Sequence, residues 1–300
     1  MQEMSLTVAI PAYNEANNLG CLLESVLKQN IDGFILSKIL VINDNSTDHT
    51  LQEALSVPDG RISVVSDGMR IGKNARMNEI FSQVDSDILI QLDADIVLNN
   101  ENIFANLLAP YLGPAPLPVL VCGNHTPLVP RTWSEQIAYF GEMIWLSSIR
   151  EAGDRASAFR CYGHIRAFTK PFYKAFTVPN GLPVNEDLYS YLWATERMLP
   201  VAFAPTAVVQ YRLPNNVPDY VKQFRRTHSY QEQTLQCIQS TVLPSIPRWI
   251  MLKQLLHQMF RTRPDIVFGF FVVRLFCLFG GKQVPQTNIW EVSNSTKRIN

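Results

Sequence analysis

The chain has 300 residues, 47% of them hydrophobic and 17% charged. That is enough apolar material for one large core or two modest ones and excludes a disordered tail, while a charged fraction below the usual ~25% leaves room for an apolar surface. The 26 basic side chains balance 26 acidic ones, which argues against a dedicated nucleic-acid binder, because neutralising phosphates needs a net basic footprint. The balance is uneven along the chain: residues 1–150 hold 8 bases and 17 acids, and residues 151–300 hold 18 and 9. Acids in one half can hold a cation and bases in the other can face phosphates or an anionic membrane; uneven decoration of a solvated surface is the plainer alternative. Five cysteines without a C-x-x-C pair predict free thiols in a reducing cytoplasm, not a disulfide framework or zinc site. The opening MQEMSLTVAIPAYNE has neither a basic leader nor an apolar signal core, so secretion is not expected.

Taken in chain order, LTVAIPAY (6–13), KILVIND (38–44), RISVVSD (61–67) and DILIQLD (87–93) are continuous apolar runs. Such runs mark strands buried on both faces. Between them, LGCLLESVLKQ (19–29) and TLQEALSV (50–57) carry apolar residues at helical spacing. The βαβα order predicts an α/β fold with a doubly wound, mainly parallel sheet, whose ligands bind beyond the carboxyl ends of the strands. Those ends read Tyr13-Asn14-Glu15, Asn43-Asp44, Ser66-Asp67 and Asp93-Ala94-Asp95. The proline-dense stretch 110–130 predicts a connector with one short strand at VLVCG. A helix from Thr132 to Arg150, a strand at HIRAFTK (164–170) and a helix over 185–197 with an acidic first turn follow.

Residues 212–300 carry 12 bases and 4 acids. Within them WIMLKQLLHQMF (249–260) is amphipathic, with Leu252, Leu255, Leu256 and Met259 expected on one face. The run 266–279, interrupted by Arg274, falls short of the ~20 residues that span a bilayer and predicts a buried or interfacial segment. The expected organisation is a domain over 1–211 and a basic, amphipathic helical tail over 212–300. That tail is expected to make peripheral contact with the cytoplasmic membrane face, or to pack on the domain or a second subunit.

The stretches VAIPAYNEANNL, VINDNSTDHT, RIGKNARMN, QLDADIVL and NEDLYSYL, in that order over residues 1–210, resemble the ordered motifs of inverting family-2 glycosyltransferases of the GT-A fold. The resemblance implies a donor half over 1–130, an acceptor half over 131–211 and a helical extension. It makes Asp93 and Asp95 a D-x-D motif holding a divalent cation, Mn²⁺ or Mg²⁺, against a leaving diphosphate, with Asp95 the direct ligand and Asp93 facing the ribose or the metal shell; a helix-capping acid pair is the alternative. Pro11, Tyr13, Glu15 and Asp44 are implied in nucleotide recognition. Asn43 stands where the family carries an acid, and Ser46 and Asp48 are read as caps of the next helix. Lys73 opens a helix ending near Asn78, and both are implied beside the diphosphate and nucleoside; a solvated lysine is the alternative, because there is no full phosphate loop.

In the acceptor half the resemblance makes Asp187 the general base and Glu186 its neighbour, whereas a dipole-stabilised acid pair is the bland reading. Gly163 and Arg166 loosely match the strand lining the acceptor. Gln223-Phe224-Arg225-Arg226-Thr227 resembles the Q-x-x-R-W signature of processive members, but Thr227 replaces its tryptophan, which points to nonprocessive transfer. Gln223, Arg225 and Arg226 are diphosphate or acceptor candidates, and His228 is a remote metal-ligand candidate. The implied activity moves a sugar from a nucleotide sugar, foremost a UDP-sugar, to a hydroxyl of a glycan or lipid-linked acceptor. A nucleotidyltransferase is the rival enzyme, but PAYNEANNL lacks its glycine-rich basic loop. A silent nucleotide-sugar or glycan-binding module is the rival of another class, and the intact acid pairs speak against it.

Overall fold

The computed structural model describes residues 3–238, 244–279 and 294–297. Eight strands form one sheet: β1 (Met4–Ala12), β2 (Phe34–Asn43), β3 (Ile62–Val65), β4 (Ile88–Leu92), β5 (Ile96–Val97), β6 (Leu120–Pro127), β7 (Ile165–Thr169) and β8 (Val201–Tyr211). Their spatial order is β3-β2-β1-β4-β7-β6-β8-β5. The first four sequence runs become the parallel set β3-β2-β1-β4. Beyond β4 the sheet turns mixed, with β7 antiparallel to β4 and β6, and β8 parallel to β6.

Alternation along the strands divides the core between the two sheet faces. Val8 and Ile10 of β1, Ile39 and Val41 of β2 and Ile90 of β4 pack on α1 (Leu19–Leu27) and α4 (Ile103–Leu108). Ala9, Leu40, Ile42 and Leu89 point the other way, onto α3 (Lys73–Gln83), α6 (Lys170–Ala175) and α7 (Glu186–Glu196). The short α2 (Thr50–Ser56) packs beside α1. The helix that opens at Lys73 runs to Gln83, past the expected end near Asn78.

α5 (Trp133–Ala152) starts on a capping box, in which Thr132 Oγ1 accepts from the Glu135 amide at 3.1 Å and Glu135 Oε2 accepts from the Thr132 amide at 2.9 Å. Three helices of the C-terminal segment follow: α8 (Val217–Ile238), α9 (Arg248–Met259) and α10 (Pro264–Phe279). Ile137, Phe140 and Ile144 of α5 form a separate core with Ile266, Val267, Phe270 and Val273 of α10, partly closed by Met251, Leu255 and Met259 of α9. The amphipathic face expected from sequence is thereby split: Leu255 and Met259 face this core, while Leu252 and Leu256 are exposed. No helix among the described residues is long and apolar enough to cross a membrane.

Candidate active site

The carboxyl ends of β1, β2 and β4 and the N-terminus of α3 open onto one pocket, closed on its far side by β8 and α8. At its floor, Asp93 follows β4 directly. Its Oδ1 accepts from Lys73 Nζ at 2.5 Å and from Gln91 Nε2 at 3.2 Å, and its Oδ2 lies 3.1 Å from His164 Nδ1. Burial works against the charge of Asp93, yet Lys73 and His164 hold its carboxyl below the usual range. Asp95 is in the opposite position: burial, then the charge of Asp93, pushes its carboxyl up. Among the described residues no side chain donates a hydrogen bond to it.

Lys73 Nζ also lies 3.0 Å from Glu186 Oε1, so one ammonium bridges the acid after β4 and the acid that opens α7. Glu186 is fixed from behind by Arg166, whose Nη2 donates to Glu186 Oε1 at 2.9 Å and whose Nε and Nη2 donate to Gln91 Oε1 at 3.0 and 2.8 Å. Next along α7, Asp187 Oδ2 accepts from the Gly163 amide at 2.9 Å. Burial, reinforced by the adjacent Glu186, raises Asp187 to about 6. Gly163 is where these groups converge: a Cβ there would stand 3.0 Å from Lys73 Nζ, 3.3 Å from Glu186 Oε1 and 3.6 Å from Asp187 Oδ2.

At the other end of the pocket, Asp44 accepts from the amides of Ile71 and Gly72 at 2.9 and 3.0 Å and from Arg76 Nε at 2.9 Å. These bonds pin the loop ahead of α3, where Gly72 takes φ +87°, a backbone that favours glycine. Glu15 accepts from Asn18 at 2.8 Å and pairs with Lys297, whose Nζ also donates to the Tyr13 carbonyl at 3.2 Å. The Arg70 guanidinium lies 3.7 Å over the Tyr13 ring. Six Lys and Arg side chains therefore border the pocket (Arg70, Lys73, Arg76, Arg212, Arg226 and Lys297) against four carboxylates, Glu15, Asp44, Asp93 and Asp95. A cationic rim of this kind suits the oxygens of a diphosphate.

Residues 7–174, more than half of the chain, match the profile described as Glycosyl transferase family 2. The chain belongs to glycosyltransferase family 2. Curated relatives similar to it include an undecaprenyl-phosphate 4-deoxy-4-formamido-L-arabinose transferase of Proteus mirabilis, 30% identical over 94 residues, which are 30% of this chain and 29% of the relative. A 4,4'-diaponeurosporenoate glycosyltransferase of Staphylococcus aureus is 30% identical over 109 residues, 36% of this chain and 28% of the relative. The aligned stretches thus span less than a third of these relatives' own length.

In fold, the chain is similar to a mannosyltransferase of Pyrobaculum calidifontis solved with GDP-Man and Mn²⁺ (TM-score 0.56, 18% identity, 94% of this chain and 76% of that one). It is also similar to glucosyl-3-phosphoglycerate synthase of Mycobacterium tuberculosis solved with Mn²⁺, UDP and phosphoglyceric acid (TM-score 0.56, 16% identity, 81% and 80%). The architecture of this family-2 glycosyltransferase is accordingly the GT-A type, with added C-terminal helices.

Of the residues singled out in the sequence, Pro11, Tyr13, Glu15, Asp44, Lys73, Asp93, Asp95, Gln223 and Arg226 line the pocket. Glu186 and Asp187 do not line it but connect to it, Glu186 through Lys73 and Asp187 through the Gly163 amide next to His164. Others do not reach it. Asn78 ties α3 to the 178–180 loop, donating to the Val178 carbonyl at 2.9 Å and accepting from its amide at 2.8 Å. Arg166 is buried beneath the acid pair and lines no acceptor surface. Arg225 points away and donates to the Phe276 carbonyl at 2.7 Å. His228 is exposed and lies on Phe224. Ser46 does not cap α2 but accepts from the Asn14 amide at 3.0 Å, whereas Asp48 accepts from the Thr50 amide at 3.0 Å.

The Asn43 departure is absorbed locally, because its side chain donates to Ser66 and accepts from the Ser46 amide. Lys73 is not a solvated lysine. The residues that sequence reasoning passed over are Arg70, Arg76, His164, Tyr211, Arg212 and Lys297. Arg70 and Arg76 sit within the marked RIGKNARMN stretch and His164 beside Gly163 in a marked strand, so these three carried a signal, whereas Tyr211, Arg212 and Lys297 arrive from distant segments. The pocket also draws Gln223 and Arg226 from α8, so its wall crosses the expected boundary at 211/212.

Proposed function

We propose that this chain transfers a sugar, with inversion, from a nucleotide sugar to the hydroxyl of a lipid-linked or glycan acceptor in a nonprocessive, metal-dependent reaction. The observation that carries the reading is the Lys73 bridge: a single ammonium held between Asp93 and Glu186 makes the donor floor and the acid pair of α7 parts of one charge network. Asp187 takes the proton of the attacking hydroxyl. A carboxyl near 6 is mostly ionised at neutral pH yet more basic than an ordinary aspartate, which suits a general base.

Asp95 fits a hard divalent cation, being a half-buried carboxylate to which no side chain among the described residues donates a hydrogen bond. Asp93, with Oδ1 already on Lys73, assists from the side. When bound there, Mn²⁺ or Mg²⁺ supplies charge neutralisation for the departing diphosphate. Arg70, Arg212 and Arg226 on the pocket wall add donors for the phosphate oxygens. Structural neighbours solved with Mn²⁺ or Mg²⁺ and UDP support the ion and make UDP-sugars the first donors to try. The undecaprenyl-phosphate relative supports a lipid-linked acceptor.

The test is donor hydrolysis and transfer over a panel of UDP-, GDP- and dTDP-sugars with Mn²⁺, with NMR assignment of the product anomer. One donor class turned over only with the cation, and inversion at the anomeric carbon, are expected. Full turnover in EDTA, or retention of configuration, overturns the reading.

A further inference from the structure

The outer helices leave a second surface that the reaction does not use. α9 and α10 both pack on α5 and are joined by four residues, 260–263. Away from α5, α9 exposes Trp249, Leu252, Leu256 and Phe260, spaced about one helical turn apart. α10 exposes Phe268, Phe271, Leu275 and Phe276, with Phe260 and Phe268 near the turn at 90% and 72% exposure. Eight large apolar side chains on two helices joined by a short turn are a patch, not scattered surface residues.

Its charge says what covers it. Of the five bases between Arg248 and Cys277, Lys253 pairs with Glu151, Arg263 pairs with Asp265 and Arg274 lies over the Phe224 ring. Arg248 and Arg261 are exposed at the ends of the α9 stripe. A second copy seated face to face would offer Arg248 and Arg261 no uncommitted carboxylate, because Asp265 is held by Arg263 and Glu151 by Lys253, whereas an anionic headgroup layer takes up both the bases and the aromatic rings. α10 has 16 residues, too few to span the ~20-residue depth of a bilayer, so the patch lies in the plane of the surface.

We propose that the α9–α10 face seats this enzyme on an anionic lipid surface as a monotopic anchor, with Trp249, Phe260 and Phe268 in the headgroup region and Arg248 and Arg261 on lipid phosphates. The seat is tied to the pocket: Arg225 of α8 holds the Phe276 carbonyl of α10, and the next residue, Arg226, lines the donor site. The inference stands on the surface alone and survives failure of the catalytic reading.

The experiment is co-sedimentation of the full chain with phosphatidylcholine vesicles with and without phosphatidylglycerol. Binding should require the anionic lipid and weaken as salt rises. Phe260→Ser/Phe268→Ser should lower the partition coefficient about tenfold or more, and Arg261→Gln about fivefold, with Tm and donor hydrolysis unchanged. Absence of binding to anionic vesicles at low salt, equal binding by the double variant, or a concentration-dependent dimer that the double variant abolishes would each overturn the proposal.

Discussion

Lys73 and Asp187 show how strongly the chemistry here depends on who stands next to whom. Both acids that Lys73 bridges are buried or half-buried, so Lys73→Met removes the ammonium between Asp93 and Glu186 and leaves each with its partner behind it, His164 and Arg166. Turnover should fall by two orders of magnitude or more, about 100-fold, and Lys73→Arg should restore part of it. Asp187→Asn should leave donor affinity nearly intact and lower kcat by about 100-fold or more; a matching fall in donor affinity would move Asp187 to the donor site.

The same carboxyl makes a stability prediction. Folded Asp187 is raised to about 6, above its unfolded value near 3.9, so the folded state binds that proton more tightly, and the stability this brings is lost as pH rises from about 4 through 6. Activity should therefore climb through a midpoint near pH 6 while stability declines over the same window. Asp187→Asn, which removes the buried charge, should raise Tm at pH 7.5 and change it little at pH 4, a difference that calorimetry resolves.

Among elements, the entry into α3 depends on a buried ionic knot. Arg76 is 1% exposed and serves three carboxylates at once, Asp44, Asp67 and Glu79, each at 2.8 or 2.9 Å, and it also donates to the Met69 carbonyl. Through Asp44 it fixes the loop that delivers Lys73 to Asp93. Burial opposes the charge of Arg76, but Asp67 and then Glu79 and Asp44 hold it protonated. Removing one partner of such a pair costs about 3–5 kcal/mol, so Arg76→Met should lower the urea midpoint by a corresponding amount and raise the donor KM. Glu79→Gln, at a side chain 32% exposed, should do much less.

For the whole molecule, the C-terminal helices have two faces with different duties. Their inner face covers Ile137, Phe140 and Ile144 of α5, so deleting 245–300 uncovers a core. The truncated protein should melt earlier and aggregate, which makes it unsuitable for testing lipid attachment; the exposed-face variants separate the two duties. Intact solubility and Tm in the truncated chain would show that α9 and α10 stabilise nothing.

The sheet and the donor floor were legible in the amino-acid order because they are local: apolar runs become β1 to β4, and polar residues following each run stand at the carboxyl edge, where the parallel arrangement brings them together. The order of the motifs likewise carried the family. Pairing was not legible. Whether Lys73 faces solvent or an acid depends on β4, α3 and α7 meeting at Gly163: Asp93 is 20 positions from Lys73, but Gly163 and Glu186 are 90 and more away. The same holds for Arg166, which looked like a wall and is a buried support. The wall built by Arg212, Gln223, Arg226 and Lys297, and the division of α9 and α10 into a core face and an exposed face, also required the tertiary structure. Helical and strand periodicity report that a residue is apolar and which of its neighbours share its face. They do not report what that face meets, because that is decided by contacts between segments far apart in the chain.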